Sequence, residues 1–151
     1  FERLYCEDSF KEKGLNYKFI NTNYSFNKFA GTVRGMHMQR EPYGEVKLVK
    51  CVKGSVFDVA IDMRKDSITR FKWFGLVLSS RNNKQLYIPK GFAHGYQSLE
   101  NNSAVVYMVS EAYHPESELG ICYRDPKISI DWPLEAKRIS EKDSKLEYIL
   151  N

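Results

Sequence analysis

The stretch Ser55–Asp62, SVFDVAID, decides the fold: Phe57, Val59 and Ile61 fall on one side of an extended chain, and Asp58, Ala60 and Asp62 on the other. A repeat of two is the period of a β-strand, and valine and isoleucine favour it. The pattern recurs on either side in short runs broken by turn residues. Lys53-Gly54 separates VKLVKCV from SVFDVAID, and Arg81-Asn82-Asn83-Lys84 separates FGLVLSS from QLYIP. Both breaks predict hairpins. Further strands are expected over Lys18–Asn23, Thr32–Met38 and Ala104–Glu111, with helical periodicity confined to Asp8–Lys13 and the C-terminal end. Short strands joined by Gly, Pro and Asn turns, with no intervening helices to make parallel crossovers, predict an all-β antiparallel sandwich or jelly roll with short peripheral helices.

The chain has 151 residues, the size of one domain, and a single domain over 1–151 is expected. Charged residues at 28% and hydrophobics at 42% argue against disorder and for a soluble globular protein. The longest apolar runs, VFDVAI and AVVYMV, fall far short of the ~20 residues that cross a bilayer, and no signal-peptide pattern opens the chain. Cys6, Cys51 and Cys122 are odd in number and widely spaced, which fits free thiols in the cytoplasm better than a disulfide framework. The net charge of +4 is spread among interleaved acids, giving a nucleic-acid groove little support while leaving room for a small anionic ligand. The chain opens at Phe1 without a methionine and enters a structured-looking segment at once, so further N-terminal residues of the full protein are expected.

Two of the three histidines lie in informative surroundings, RGMHMQ at Arg34–Gln39 and PKGFAHG at Pro89–Gly95. Strict alternation places Arg34, Met36 and Met38 on one side and Val33, Gly35, His37 and Gln39 on the other, so His37 has a glycine beside it that leaves room. A hydrogen-bonded core histidine is the alternative. His94 sits between Gly91 and Gly95, where it could approach a ligand or simply cap a turn. In AVVYMVSEAY, Val105, Tyr107 and Val109 share a face, so Tyr107 is either a core phenol or an acid aimed into a cavity. Lys47 would be costly on an inner face unless it met an anion, and the periodicity of VKLVKCVK does not settle its face. Jelly rolls that bind metal often do so through a His-x-His pair, a following Glu and a later His. Gln39 holds the second position here, leaving His37, His94 and Glu45 as the available ligands, a poor fit to a metal site.

Taken together and in order, GTVRGMHMQ, KLVKCVKGSVFDVAIDMRKDS, LYIPKGFAHGY, the Tyr107–Tyr113 segment, GICYRDP and ISEKD resemble the dTDP-4-dehydrorhamnose 3,5-epimerase family over essentially the whole chain. The resemblance implies a cupin jelly roll that acts as a homodimer without metal or other cofactor. It implies inversion at C3, C5 or both of a dTDP-4-keto-6-deoxyhexose: a proton leaves a carbon beside the C4 ketone and another returns to the opposite face. That task needs a base of near-neutral pKa, a group to stabilise the enolate and an acid across the ring. By resemblance His37 is the base, Asp143 orients its imidazole and Tyr107 is the acid. Lys47 faces the ketone oxygen with His94 assisting, an electrostatic contribution commonly worth ~3 kcal/mol per well-placed donor. The same resemblance puts Glu2, Asn21, Asn23, Arg34, Tyr113, Glu118 and Lys142 at the substrate site, with Tyr113 suited to stacking on thymine.

The chain departs from the family pattern at Asn21, where the family usually has Gln, at Ala112, where an aromatic is common, and at Tyr96, where a Phe is usual. These positions touch pocket shape and base recognition more than proton transfer. The family's first strand and its Asp-x-Arg-Gly segment, which help complete the active site, are not visible before Phe1. Other readings are a related dTDP-keto-sugar isomerase, which product analysis separates because the carbonyl moves, and a non-catalytic sugar-nucleotide binding module. The complete base, acid and lysine set argues against the latter.

Overall fold

The computed structural model describes residues 1–149 and consists mainly of ten β-strands. In chain order these are β1 (Asn21–Asn27), β2 (Thr32–Gln39), β3 (Lys47–Lys53), β4 (Ser55–Asp62), β5 (Trp73–Ser79), β6 (Leu86–Ile88), β7 (Phe92–Ser98), β8 (Ser103–Val109), β9 (Glu118–Gly120) and β10 (Arg138–Ile139). Two short helices, α1 (Glu7–Glu12) and α2 (Glu141–Ser144), lie near the ends. Among the described residues, no helix is long and apolar enough to cross a membrane.

Two sheets face each other as a jelly roll. One has strand order β1-β8-β3-β6 and the other β10-β2-β7-β4-β5, with β9 also paired to β2. The ladders are antiparallel apart from the short β10–β2 pairing. The two expected hairpins do not form. Lys53-Gly54 carries the chain from β3 in the four-stranded sheet to β4 in the other, and Arg81–Lys84 carries it back from β5 to β6. Tight turn chemistry is common to a hairpin and to a sandwich corner, so the residues alone do not distinguish them. The first strand also begins later than expected, at Asn21, and β7 contains His94, so that residue is a strand residue and not a turn cap.

Alternation along β4 separates two apolar layers. Val56 and Ala60 point into the sandwich, where they pack with Val49, Cys51, Leu78, Ile88, Tyr96 and Val105. Val59 and Ile61 point outward, where they join Met36, Met38, Ala93, Ile121 and Ile128, with Phe57, Trp73 and Trp132 packed against them. The chain after β9 therefore supplies a cover for this sheet. Phe57 meets Trp73 and Trp132 edge to face, with ring centroids 6.3 and 6.2 Å away. Asp62, at the end of β4, gathers the connector to β5: it accepts from Arg64 Nε and Nη2 at 2.9 and 2.7 Å, Ser67 Oγ at 2.5 Å and Thr69 Oγ1 at 2.7 Å. The Arg64 guanidinium, helped by both hydroxyls, holds its carboxyl far below the usual range.

The β2–β7 pairing fixes the cleft. Its register shifts between Arg34 and His37, where β2 bulges. Gly35 stands at the shift with φ +105, and a Cβ there would lie 2.7 Å from both Gly95 Cα and His94 O. Only a residue without a side chain permits this approach. Replacing Gly35 with Ala is expected to destabilise the fold by about 2–4 kcal/mol through backbone strain and overpacking, measurable as a lowered urea midpoint with an unchanged slope.

Candidate active site

Two adjoining cavities of about 360 and 580 Å³ open between the sheets. His37, Lys47, Tyr107 and Lys142 line both. The inward row of β3 runs from Cys51 and Val49 in the core to Lys47 at the cleft, which settles that lysine's face as the inner one. On β8 the expected face holds: Val105 is in the core, Tyr107 packs against it and Val109 lines the first cavity. Strict alternation fails on β2. Arg34 and His37, expected on opposite faces, both line the second cavity. The bulge between them inserts the residue that changes the parity.

His37 Nε2 lies 2.6 Å from Asp143 Oδ1. Asp143 is buried at 2% exposure, its Oδ2 accepts from Gly35 N at 3.2 Å, and its own N–H donates to Ser140 Oγ, the N-cap of α2. Burial pushes the Asp143 carboxyl up, but the bonds from His37, Gly35 and Ser140 outweigh it and hold the group below its ordinary value. An ionised carboxylate only accepts, so Nε2 of a neutral His37 carries the proton and Nδ1 keeps the lone pair.

Across the cleft, Lys47 Nζ lies 3.0 Å from Glu45 Oε1. The Tyr107 hydroxyl has no hydrogen-bond partner among the described residues; burial, then the charges of Tyr96 and Glu45, push its phenol up. His94 is the residue opposite His37 in the β2–β7 ladder, and its Nε2 donates to Asp58 Oδ1 at 2.9 Å. Asp58 is wholly buried, and its Oδ2 has no partner among the described residues. Alternation marked Asp58 only as a residue on the side of β4 opposite Phe57, Val59 and Ile61. The inward facing of both Asp58 and His94 is what brings them together.

Asn21, Asn23, Tyr113 and Glu118 line the first cavity and Arg34, His94 and Asp143 the second. At the rim, Glu118 accepts from Lys142 Nζ at 2.7 Å and from the Tyr113 hydroxyl at 3.1 Å. Arg34 Nε donates to Asn27 Oδ1 at 3.1 Å. The added hydroxyl of Tyr96 is taken up by β1, 2.7 Å from Ser25 Oγ and 2.9 Å from Asn27 Nδ2. Glu2 is the member of the expected set that is not brought to these cavities. Its Oε1 accepts from Lys50 Nζ at 2.6 Å, and Lys50 points away from the inward row of β3. Pairing the buried Lys50 ammonium holds the carboxylate there.

Gln39 is spent on backbone: Nε2 donates to Tyr43 O and Ala112 O at 3.1 and 2.9 Å, and Oε1 accepts from His114 N at 2.5 Å. Among the described residues no three His, Cys, Asp or Glu side chains come together as a metal-binding group.

Fold and cleft together define a jelly-roll enzyme of the cupin class whose polar groups converge from both sheets. The family model described as dTDP-4-dehydrorhamnose 3,5-epimerase matches residues 1–150. The enzyme of that name from Methanothermobacter thermautotrophicus is 46% identical over 147 residues, 95% of this chain and 78% of that protein. The Bacillus anthracis dTDP-4-dehydrorhamnose 3,5-epimerase, solved with TDP and PPi bound, superposes with a TM-score of 0.96 at 36% identity, covering 99% of this chain and 85% of that one. The Legionella pneumophila dTDP-6-deoxy-D-glucose-3,5-epimerase, solved with dTDP-4-keto-L-rhamnose, gives 0.92 at 39% identity, covering 98% and 79%. This chain belongs to the dTDP-4-dehydrorhamnose 3,5-epimerase family.

Because the folded Asp143 carboxyl is held below its unfolded value, its contribution to stability is full above the ordinary carboxylate range and is lost as pH falls through the folded value. Asp143→Asn is therefore expected to be less stable than wild type at neutral pH and to converge with it in acid, as read by denaturant unfolding at both pH values.

Proposed function

We propose that this protein is an epimerase that inverts C3, C5 or both of a dTDP-4-keto-6-deoxyhexose, as in the conversion of dTDP-4-dehydro-6-deoxyglucose to dTDP-4-dehydrorhamnose. One observation carries the assignment of roles. His37 stands on β2 of one sheet and Tyr107 on β8 of the other, and both side chains line the same two cavities. A sugar ring held between the sheets meets the base on one face and the acid on the other.

In the forward step His37 Nδ1 takes the proton from a carbon beside the C4 ketone. The electron pair of that C–H bond moves into the ring carbon–carbon bond, and the carbonyl π pair moves onto O4. Lys47 and His94 face the enolate oxygen, where charge appears only as the proton leaves, so they favour the transition state over the ground state. Asp143 stabilises the imidazolium that forms. The Tyr107 hydroxyl then delivers its proton to the opposite face of the carbon, the ketone is restored, and exchange with solvent resets both groups. Asn21, Asn23, Arg34, Tyr113, Glu118 and Lys142 hold the nucleotide, with Tyr113 stacking on thymine and Arg34 meeting a phosphate or sugar oxygen.

Residues 1–151 belong to a single domain of this enzyme, which works as a homodimer in the cytoplasm. The free thiols, two of them buried, support a reducing setting.

Proton NMR of dTDP-4-keto-6-deoxyglucose in deuterated water tests the reading. Wild type is expected to wash out the C3 and C5 proton signals, and His37→Ala to preserve both. Tyr107→Phe is expected to allow some exchange without net inversion; full turnover by this variant would refute the acid assignment. Loss of one signal alone would make the protein a mono-epimerase, and a wild type that binds without exchange would make it a binding module.

A further inference from the structure

Glu45, in the segment that leads into β3, also lines the first cavity, and the mechanism above gives it no part. Its carboxylate lies 3.0 Å from Lys47 Nζ, and the two side chains are only 14% and 10% exposed. As a stability device such a pair is poor, since desolvating two charges offsets most of their attraction. Its position is what calls for explanation. Lys47 and Glu45 face the same space as His37 and Tyr107, where a ketone is to become an enolate.

An ammonium on a four-carbon stem has three N–H donors and many rotamers. The ion pair with Glu45 restricts the stem, leaving N–H donors free for the cleft. We propose that Glu45 is a positioning residue for the reaction, its carboxylate aiming the Lys47 ammonium at the ketone oxygen of the bound sugar. The proposal rests on the epimerase reading. Before the proton leaves the sugar, Lys47 answers one anion, Glu45; afterwards it is shared between Glu45 and O4.

The carboxylate has a second effect on the same wall. After burial and Tyr96, the charge of Glu45 pushes the Tyr107 phenol up and so favours its protonated form. The ionisable groups that line the cavities with Tyr107 are Tyr24 on β1, Arg34 and His37 on β2, Glu45 and Lys47 at β3, His94 and Tyr96 on β7, Glu111 and Tyr113 after β8, Glu118 on β9, and Lys142 and Asp143 on α2. Removing the negative charge of Glu45 lets the phenol ionise at lower pH. The basic limb of the rate profile then moves down.

The test is steady-state epimerisation across pH by wild type, Glu45→Gln and Glu45→Asp, each checked for an intact thermal melt. Glu45→Gln keeps an oxygen for Lys47 but no charge. Its kcat is expected to fall about tenfold or more, as for a displaced catalytic group, with KM within about threefold and the basic limb at lower pH than in wild type. Glu45→Asp keeps the charge but draws Lys47 aside, so kcat falls while the limb stays with wild type. Unchanged kinetics in both variants, or a loss in Glu45→Gln that is uniform across pH with the limb unmoved, would overturn the proposal. Failure of the epimerase reading shows separately, as absence of turnover and of solvent exchange in wild type.

Discussion

The Asp143 carboxylate is the fixed point on which the cleft depends. One oxygen takes the His37 ring and the other the Gly35 N–H, so a single buried group grips both the catalytic side chain and the backbone of the bulge that aims it. The bulge brings Arg34 and His37 to one face, and the glycine pair at 35 and 95 lets β2 and β7 approach closely enough for it to persist. Ser140 caps the one-turn helix that presents Asp143, giving a short element a fixed end. A charge so buried is tolerable because every donor it meets compensates its lost hydration.

The space between the sheets serves two purposes. At one end it is filled by aliphatic side chains and Tyr96; at the other the same strands end in Lys47, Tyr107 and His94. Each of those polar residues follows an apolar one on the same face of its strand or its neighbour. The packed end thus sets the position of the reactive end. Tyr96 joins the two, with its ring in the core and its hydroxyl bonded to β1. Polar groups of the cleft are backed in pairs: His37 by Asp143, His94 by Asp58, Lys47 by Glu45.

Periodicity made the strands legible, because a repeat of two survives wherever a strand is regular, and it placed Tyr107 on the face with Val105 and Val109. It failed at β2, since a bulge changes parity without leaving a residue signature stronger than one glycine. It also failed at the two turns, where the same Gly and Asn chemistry serves a corner between sheets. Asp143 lies more than a hundred residues from His37 and was reached by family resemblance alone. Asp58 was hidden for a different reason, and Glu45 was legible only as a possible metal ligand. An acid in a strand reads as the solvent side, and only knowing that this side of β4 is the sandwich interior makes Asp58 a partner for histidine. Glu2, carried over by resemblance, lies instead on Lys50.

Among the described residues, β4 and β5 are the one pair of strands that are consecutive in the chain and adjacent in a ladder; at each other step the chain changes sheet or partner. The order in which the molecule assembles follows from this. Loop closure between distant segments must precede most of the hydrogen bonding that rewards it, so folding belongs to the slow, nonlocal regime of roughly milliseconds to seconds. The cleft has no partial form: His37 and Tyr107 become neighbours only when both sheets have closed. During synthesis, β2 therefore waits for β7 and for α2 near the far end of the chain, and the reactive groups acquire their geometry last.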